Sequence, residues 1–272
     1  MNEEFSKASV FLAGAGRMGG ALLRGWLAAG FPPAALAVAE PRPSAQISAL
    51  LQEKGIASKP HSAPDVLVLA VKPQIMNEVL AGIAPYAGPG TAVLSIAAGR
   101  TVAGIAAHFP PGTPIVRAMP NLPAEIGRGI AAAYANARVT SGQRALCDAL
   151  LRAVGEVAWI EDESLIDAVT AISGSGPAYV FYLAECLAEA AAAAGLPGEL
   201  AAQFARATVT GAGELLHRSP LTPAQLRENV TSPGGTTAAG LSVLMGEGER
   251  GLKSLIRETV AAAQRRSREL SG

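Results

Sequence analysis

Residues that build metal and redox centres are scarce in this chain. It has two cysteines and three histidines. Cys147 and Cys186 lie in helical patterns without metal-ligand or redox spacing and are expected to be core thiols. His61, His108 and His217 are scattered, so no metal site is expected. Charge is also sparse: charged residues make up 16% and the formal net charge is +0, which leaves no electrostatic footprint for nucleic acid or an anionic membrane. Apolar runs are interrupted by Gly, Pro or charge well before the roughly 20 residues that span a bilayer. Residues 1–7 have no signal-peptide profile, and a cytoplasmic location is expected. What is abundant is apolar: half of the 272 residues are hydrophobic, enough for one large core or two modest ones.

The N-terminal part alternates strand and helix patterns. Ser9–Ala13 reads as a buried strand. It runs directly into Gly14-Ala15-Gly16-Arg17-Met18-Gly19, and an apolar helical pattern follows as far as the stop at Gly30. A strand, G-x-G-x-x-G and a helix in that order form a dinucleotide-binding fingerprint. The glycines tighten the turn and let backbone N–H groups and the helix N-terminus face a pyrophosphate. Leu36–Ala39 is the second strand. About 20 residues past the loop it ends at Glu40-Pro41-Arg42, where Glu40 suits the 2′-hydroxyl of NAD and Arg42 suits the 2′-phosphate of NADP. Further strands are expected at Asp65–Val71, Thr91–Ala97, Ile115–Met119, Gly129–Tyr134 and Glu156–Ile160, with a helix from Ser141 to Val154. Strand ends in such a sheet form the ligand rim, which places Lys72, Ala98 and Asn121 there.

After Glu161-Asp162-Glu163 the strand pattern stops, so the chain divides into an α/β domain over residues 1–161 and an all-helical one over residues 162–272. Leu165–Gly195 is a long apolar run with Ser173-Gly174-Ser175-Gly176-Pro177 at its middle. Pro177 lacks an N–H, so the pattern predicts one helix kinked there. Further helices are expected at Glu199–Leu216, after Thr222 as N-cap with Pro223 in the first turn, and at Gly248–Leu270. Alanine-rich helices of this kind would expose much apolar surface alone, which points to a homo-oligomer. Between the last two helices, Asn229–Thr237 combines Pro233, two glycines and Thr236 and Thr237 at a helix N-terminus. Free N–H groups and hydroxyls there suit an anion such as a carboxylate without any basic side chain.

Three stretches together resemble the pyrroline-5-carboxylate reductases. They are Ala70-Val71-Lys72-Pro73-Gln74, Asp167 through Tyr179 with its Ser173–Pro177 centre, and Glu228 through Thr237. The resemblance runs from about Val10 to Leu270. It implies a Rossmann-like, mostly parallel α/β domain followed by an all-α dimerisation domain, NADPH or NADH as cofactor, and a cyclic imine reduced to proline. It also implies a homodimer, which in that family is often joined into a ring-shaped decamer, with each active site shared between subunits. Carried over by position, Gly14, Gly16, Arg17, Met18 and Gly19 hold the pyrophosphate. Val71, Lys72, Pro73, Ala97 and Asn121 line the nicotinamide end. Ser232, Gly234, Gly235, Thr236 and Thr237 hold the substrate carboxylate, and Thr170 bonds the ring nitrogen. The Gly55–Asp65 connection is a few residues short and lacks the family's ribose-contacting asparagine; Ser62 or His61 are the substitutes at hand. Two other readings stay open on sequence: another imine or hydroxy-acid reductase of this architecture, and a non-catalytic dinucleotide-binding protein.

Overall fold

Uncharged four-residue blocks form the first four strands of the sheet in a computed structural model that describes residues 7–246 and 251–271. Val10–Ala13 (β1), Leu36–Ala39 (β2), Val66–Leu69 (β3) and Ala92–Ser95 (β4) are buried throughout, apart from half-buried Ala39. Burial on both faces is what a parallel sheet covered by helices requires. Ile115–Met119 (β5), Gly129–Ala135 (β6) and Gly155–Trp159 (β7) complete seven strands in the order β2-β1-β3-β4-β5-β6-β7. Strands β1 to β5 run parallel; β6 is antiparallel to β5, and β7 is parallel to β6. Register sets Leu12 beside Val38 on one side and Val68 on the other. The chain leaves β1 for β2 at one side and returns to β3 at the other. That reversal opens a crevice at the carboxyl ends of β1 and β3, where ligands of open α/β sheets bind.

Alternate residues of each strand feed opposite faces. Val10 and Leu12 join a core with Leu22, Leu23, Trp26, Cys147 and Leu150, whereas Phe11 and Ala13 join Leu80, Ile105 and Ile115. The first core is built on α1 (Arg17–Ala28) and α5 (Ser141–Arg152), and the buried Trp26 ties them, its Nε1 donating to the Leu150 carbonyl at 2.8 Å. The second face is covered by α3 (Met76–Ile83) and α4 (Val102–Ala106). Between β2 and β3, α2 (Ala45–Lys54) is capped by Ser44, which accepts from the Ile47 N–H; α5 opens with a Thr140–Gln143 capping box.

The notched run differs from the single kinked helix expected. A 3₁₀ turn over Glu163–Leu165 leads into α6 (Ile166–Val169), which widens into a π turn over Thr170–Gly174. A new helix, α7 (Gly176–Ala193), then starts with Pro177 in its first turn. Proline costs nothing there, because a first-turn N–H has no intrahelical partner. The helix therefore ends and restarts instead of bending. This compact unit of the chain extends to Gly174 and takes in the residues from Gln264 onward.

A second unit spans Ser175–Ala263. It holds α7, α8 (Gly198–Arg218), α9 (Pro223–Asn229), α10 (Thr236–Leu244) and the first turns of α11 (Leu252–Ser271). Thr222 caps α9 as expected, in a capping box with Gln225. The expected start of the last helix at Gly248 lies outside the described residues. Few side chains here are buried: Ala201 and Ala205 are the buried apolar ones among the described residues, while Phe181, Tyr182, Phe204, Leu215 and Val243 are exposed. Cys186 is half-buried on α7, not in a core, because this unit has almost none. No helix among the described residues is long and apolar enough to cross a membrane.

Candidate active-site elements

Three glycines at the end of β1 perform three different tasks. Gly14 turns the chain with φ +93° and donates to the Ala39 carbonyl at 2.8 Å; a Cβ there would lie 2.6 Å from the Ala70 carbonyl oxygen. Gly19 brings α1 down on the loop, where a Cβ would stand 2.1 Å from the Gly14 oxygen. Gly16 is the opposite case. It is exposed, a Cβ would meet nothing within 4 Å, and it caps α1 with no side-chain hydrogen bond. The first turn of α1 carries no acidic residue, so its N–H groups and its positive end face that open space unopposed. These residues fit a pyrophosphate.

Glu40 stands at the end of β2, and both its oxygens are engaged. Oε2 accepts from the Ala15 N–H at 2.8 Å and Oε1 from the Arg42 N–H at 3.1 Å. The carboxylate thus braces the glycine loop, a task the sequence reading missed, and each oxygen keeps a lone pair for a ribose hydroxyl. Arg42 is exposed. Arg17 pairs with Glu125 at 3.0 Å, its side chain still 75% exposed. Met18 is half-buried against the core. In the short Gly55–Asp65 connection, Ala57 bridges to Ala37, and His61 and Ser62 are exposed.

The carboxyl ends of the central strands supply the other predicted residues. Val71 is half-buried and Lys72 exposed, at the start of a 3₁₀ turn over Pro73–Ile75 whose Pro73 carbonyl accepts from Arg100 Nη2 at 2.8 Å. Ala97 is buried just past β4. Asn121, buried past β5, accepts at Oδ1 from the Ile130 N–H at 2.9 Å and so fixes the turn to β6. Arg117, 4% exposed within β5, pairs with Glu163 at 2.7 Å, and the same Glu163 oxygen accepts from the Val102 N–H at 2.8 Å. An arginine amid Ile115-Val116 and Ala118-Met119 was the available signal for this pair; its partner, 46 residues on, had none.

Thr170 opens the π turn. Its hydroxyl donates to the Ile166 carbonyl at 2.8 Å, so its oxygen is left to act as an acceptor. The π turn lies against the end of β5, since a Cβ on Gly174 would come 2.8 Å from Met119 Cε. Within it, Ser173 Oγ is buried without a hydrogen-bond partner. π turns inside helices are frequent at functional sites.

In the helical unit, the loop before α10 leaves the helix N-terminus without a side-chain cap. Gly234 adopts φ +71°, the Gly235 N–H donates to the Ser232 carbonyl at 3.0 Å, and Gly235 is the N-cap of α10 without a side-chain cap. Thr236 and Thr237 begin the helix, exposed like Ser232 and Gly234, and no acidic residue sits in that turn. Among the described residues no three His, Cys, Asp or Glu side chains converge as metal ligands.

Known proteins align with this arrangement from end to end. The family profile described as pyrroline-5-carboxylate reductase dimerisation matches residues 163–270, and one described as NADP oxidoreductase coenzyme F420-dependent matches residues 9–99. A pyrroline-5-carboxylate reductase of Pseudomonas aeruginosa is 38% identical over 98% of both chains. Among solved structures, a pyrroline-5-carboxylate reductase from Coxiella burnetii superposes with a TM-score of 0.89 at 33% identity, covering 98% of this chain and 100% of that one. The Plasmodium falciparum pyrroline carboxylate reductase with NADP bound gives 0.80 at 29% identity, over 98% and 100%. A glycine loop open at Gly16, a threonine acceptor in a π turn and an uncapped helix start behind Gly234-Gly235 thus occur in a chain that belongs to the pyrroline-5-carboxylate reductase family.

Proposed function

We propose that this chain reduces 1-pyrroline-5-carboxylate to L-proline with NAD(P)H. The observation that carries the reading is Thr170, whose hydroxyl donates its hydrogen bond to the Ile166 carbonyl and leaves its oxygen as an acceptor. A protonated cyclic imine presents an N–H to such an oxygen. A keto acid presents a carbonyl, which would need a donor. A bound nicotinamide would supply the hydride at the imine carbon; that addition turns the iminium into the neutral amine, which then takes a second proton from solvent. Thr170 holds the nitrogen while its charge spreads and relocates. Gly14, Gly16, Arg17, Met18 and Gly19 hold the pyrophosphate, and Glu40 the ribose. Val71, Lys72, Pro73, Ala97 and Asn121 orient the reactive ring. Ser232, Gly234, Gly235, Thr236 and Thr237 hold the substrate carboxylate through hydroxyls and first-turn N–H groups, Gly235, whose own N–H bonds the Ser232 carbonyl, leaving room for its approach. Orientation of two rings is the main contribution asked of the protein.

The same reading makes the protein a cytoplasmic homodimer at least, with a decamer as the larger assembly. The exposed apolar side chains along α7 and α8 support it, because a monomer would leave them in water. Purified protein assayed for NADPH and NADH oxidation should turn over the cyclic imine and leave linear keto acids untouched. Thr170→Val should lower kcat by about one to two decades with nucleotide affinity unchanged. Equal turnover of keto acids, or a wild-type kcat for Thr170→Val, would remove Thr170 from the reaction.

A further inference from the structure

The last turns of α11, from Gln264 on, belong to the sheet unit although the helix begins in the other. Two of the contacts that fasten them bear on the site. Ser267, 9% exposed, donates from Oγ to Asp167 Oδ1 at 2.6 Å, a length typical of a hydroxyl on an ionised carboxylate. At Gly99, with φ +68°, a Cβ would stand 3.1 Å from the Leu270 carbonyl oxygen, so the chain there passes directly under that residue's backbone. Asp167 precedes Thr170 by three positions on α6. Gly99 follows Ala97 and Ala98 at the carboxyl end of β4. One segment therefore touches both the turn that bears Thr170 and the end of the strand that bears Ala97.

That turn needs outside support. α6 is four residues long and passes at once into the π turn, so it has little regular hydrogen-bond ladder of its own. Its orientation depends on what holds it: Glu163 at its entry on Arg117 and the Val102 N–H, Ile166 and Ala171 packed into the interior, Gly174 against Met119, and, from α6 itself, Asp167 bonded to Ser267. Removing the Ser267 hydroxyl would free the carboxylate and let the turn rotate about its two apolar anchors. Displacements of the order of 1 Å at a reacting atom cost up to about a hundredfold in rate.

We propose that Ser267 and Asp167 are positioning residues for hydride transfer, the end of α11 acting as a brace that sets Thr170 against the substrate nitrogen. The inference rests on the role given to Thr170 above. Ser267→Ala and Asp167→Ala should each lower kcat by about five- to fiftyfold. The double variant should be no slower than the slower single one, because both remove one bond. Asp167→Asn keeps the Oδ1 acceptor and should stay within about threefold of the parent. Calorimetric affinity for NADPH should change by less than about twofold throughout. A fastening that serves stability alone would lower the melting temperature and leave kcat intact. A folded Ser267→Ala with kcat within twofold of the parent therefore overturns the proposal, as does full additivity of the two changes. If Ser267→Ala does not fold, Asp167→Ala against Asp167→Asn decides it from the other side of the bond, and equal kcat for these two overturns it. Thr170→Val separates the levels. If it is slow while the Ser267 and Asp167 variants are fast, the brace alone fails; if it is fast, the role of Thr170 fails.

Discussion

A side chain at Gly16 should abolish nucleotide binding without harming the fold. The position is exposed, its φ of −65° suits any L residue, and a Cβ there meets no protein atom within 4 Å. Gly16→Val therefore costs the native state only a poorer N-cap, about 1 kcal/mol or less, which is about 2–4 °C in Tm for a domain of this size. The same branched side chain fills the space from which a pyrophosphate would approach the first-turn N–H groups. Losing two charge-assisted hydrogen bonds of about 1.5–3 kcal/mol each weakens binding by about two to four decades. The flanking glycines should behave in the reverse way. At Gly14 a Cβ lies 2.6 Å from one backbone oxygen, and at Gly19 it lies 2.1 Å from another. Gly19→Ala should therefore lose stability at or beyond the upper end of the roughly 1–3 kcal/mol of ordinary overpacking. Titration calorimetry with NADPH and NADH, beside thermal scans of the two variants, reads both quantities. A well-folded Gly16→Val that binds either nucleotide within tenfold of the parent would refute the assignment of the loop, and a collapse of its Tm would refute the claim that the space is free.

Glu40→Ser should raise kcat/KM for NADPH relative to NADH by about three- to tenfold, through loss of a carboxylate near a 2′-phosphate. It should also weaken both nucleotides, because the brace on the Ala15 N–H goes with it; an unchanged ratio would take Glu40 out of cofactor selection. Gly235→Ala, whose Cβ would press within 3.2 Å of the Ser232 carbonyl, and Ser232→Ala should each raise KM for the imine by about one to two decades, the equivalent of one lost charge-assisted bond. Nucleotide affinity should hold within twofold, and a loss confined to nucleotide binding would mean that the anion bound there is a phosphate. Burial, assisted by Asp148, pushes the Cys147 thiol from 9.0 up to about 12. The folded chain then keeps a proton that the unfolded chain releases, so stability should fall as pH rises from 9 towards 12, by at most about 1.4 kcal/mol per pH unit. Thermal scans of Cys147→Ala should lack that component of the slope; an identical slope in the variant would discard it.

Much of the sheet could be read directly because its strands are largely apolar blocks ended by Gly, Pro or a polar residue, and the limits of β2 and β5 agree with the pattern to the residue. Caps such as Thr222-Pro223 are equally local, since the residues that make them are neighbours in sequence. The break at Pro177 was misjudged because side-chain period distinguishes poorly between a bent helix and a restarted one. A π turn is a change in backbone hydrogen-bond register, and Thr170–Gly174 contains nothing that a helix start would not also contain. At the sites, residue types that face open space, such as Gly16 and Thr236, were visible by chemistry. Braces were hidden because each joins distant segments: Glu40 to Ala15 across 25 residues, Arg117 to Glu163 across 46 and Ser267 to Asp167 across 100.

The placement of the tryptophans gives the protein a spectroscopic asymmetry. Trp26 and Trp159 are its two indoles, and both lie in the sheet unit, one fully buried on the helix that starts at Gly16 and the other under the Arg144 guanidinium. Ultraviolet emission therefore reports on the nucleotide half alone, and the helical half is optically silent except for tyrosine. Trp26 stands ten residues along α1 from Gly16, about 15 Å by helical rise. A reduced nicotinamide dinucleotide absorbs where indole emits, so a dinucleotide held at the Gly16 loop as proposed should act as an energy acceptor, and its loading should register as quenching in the native chain without a label.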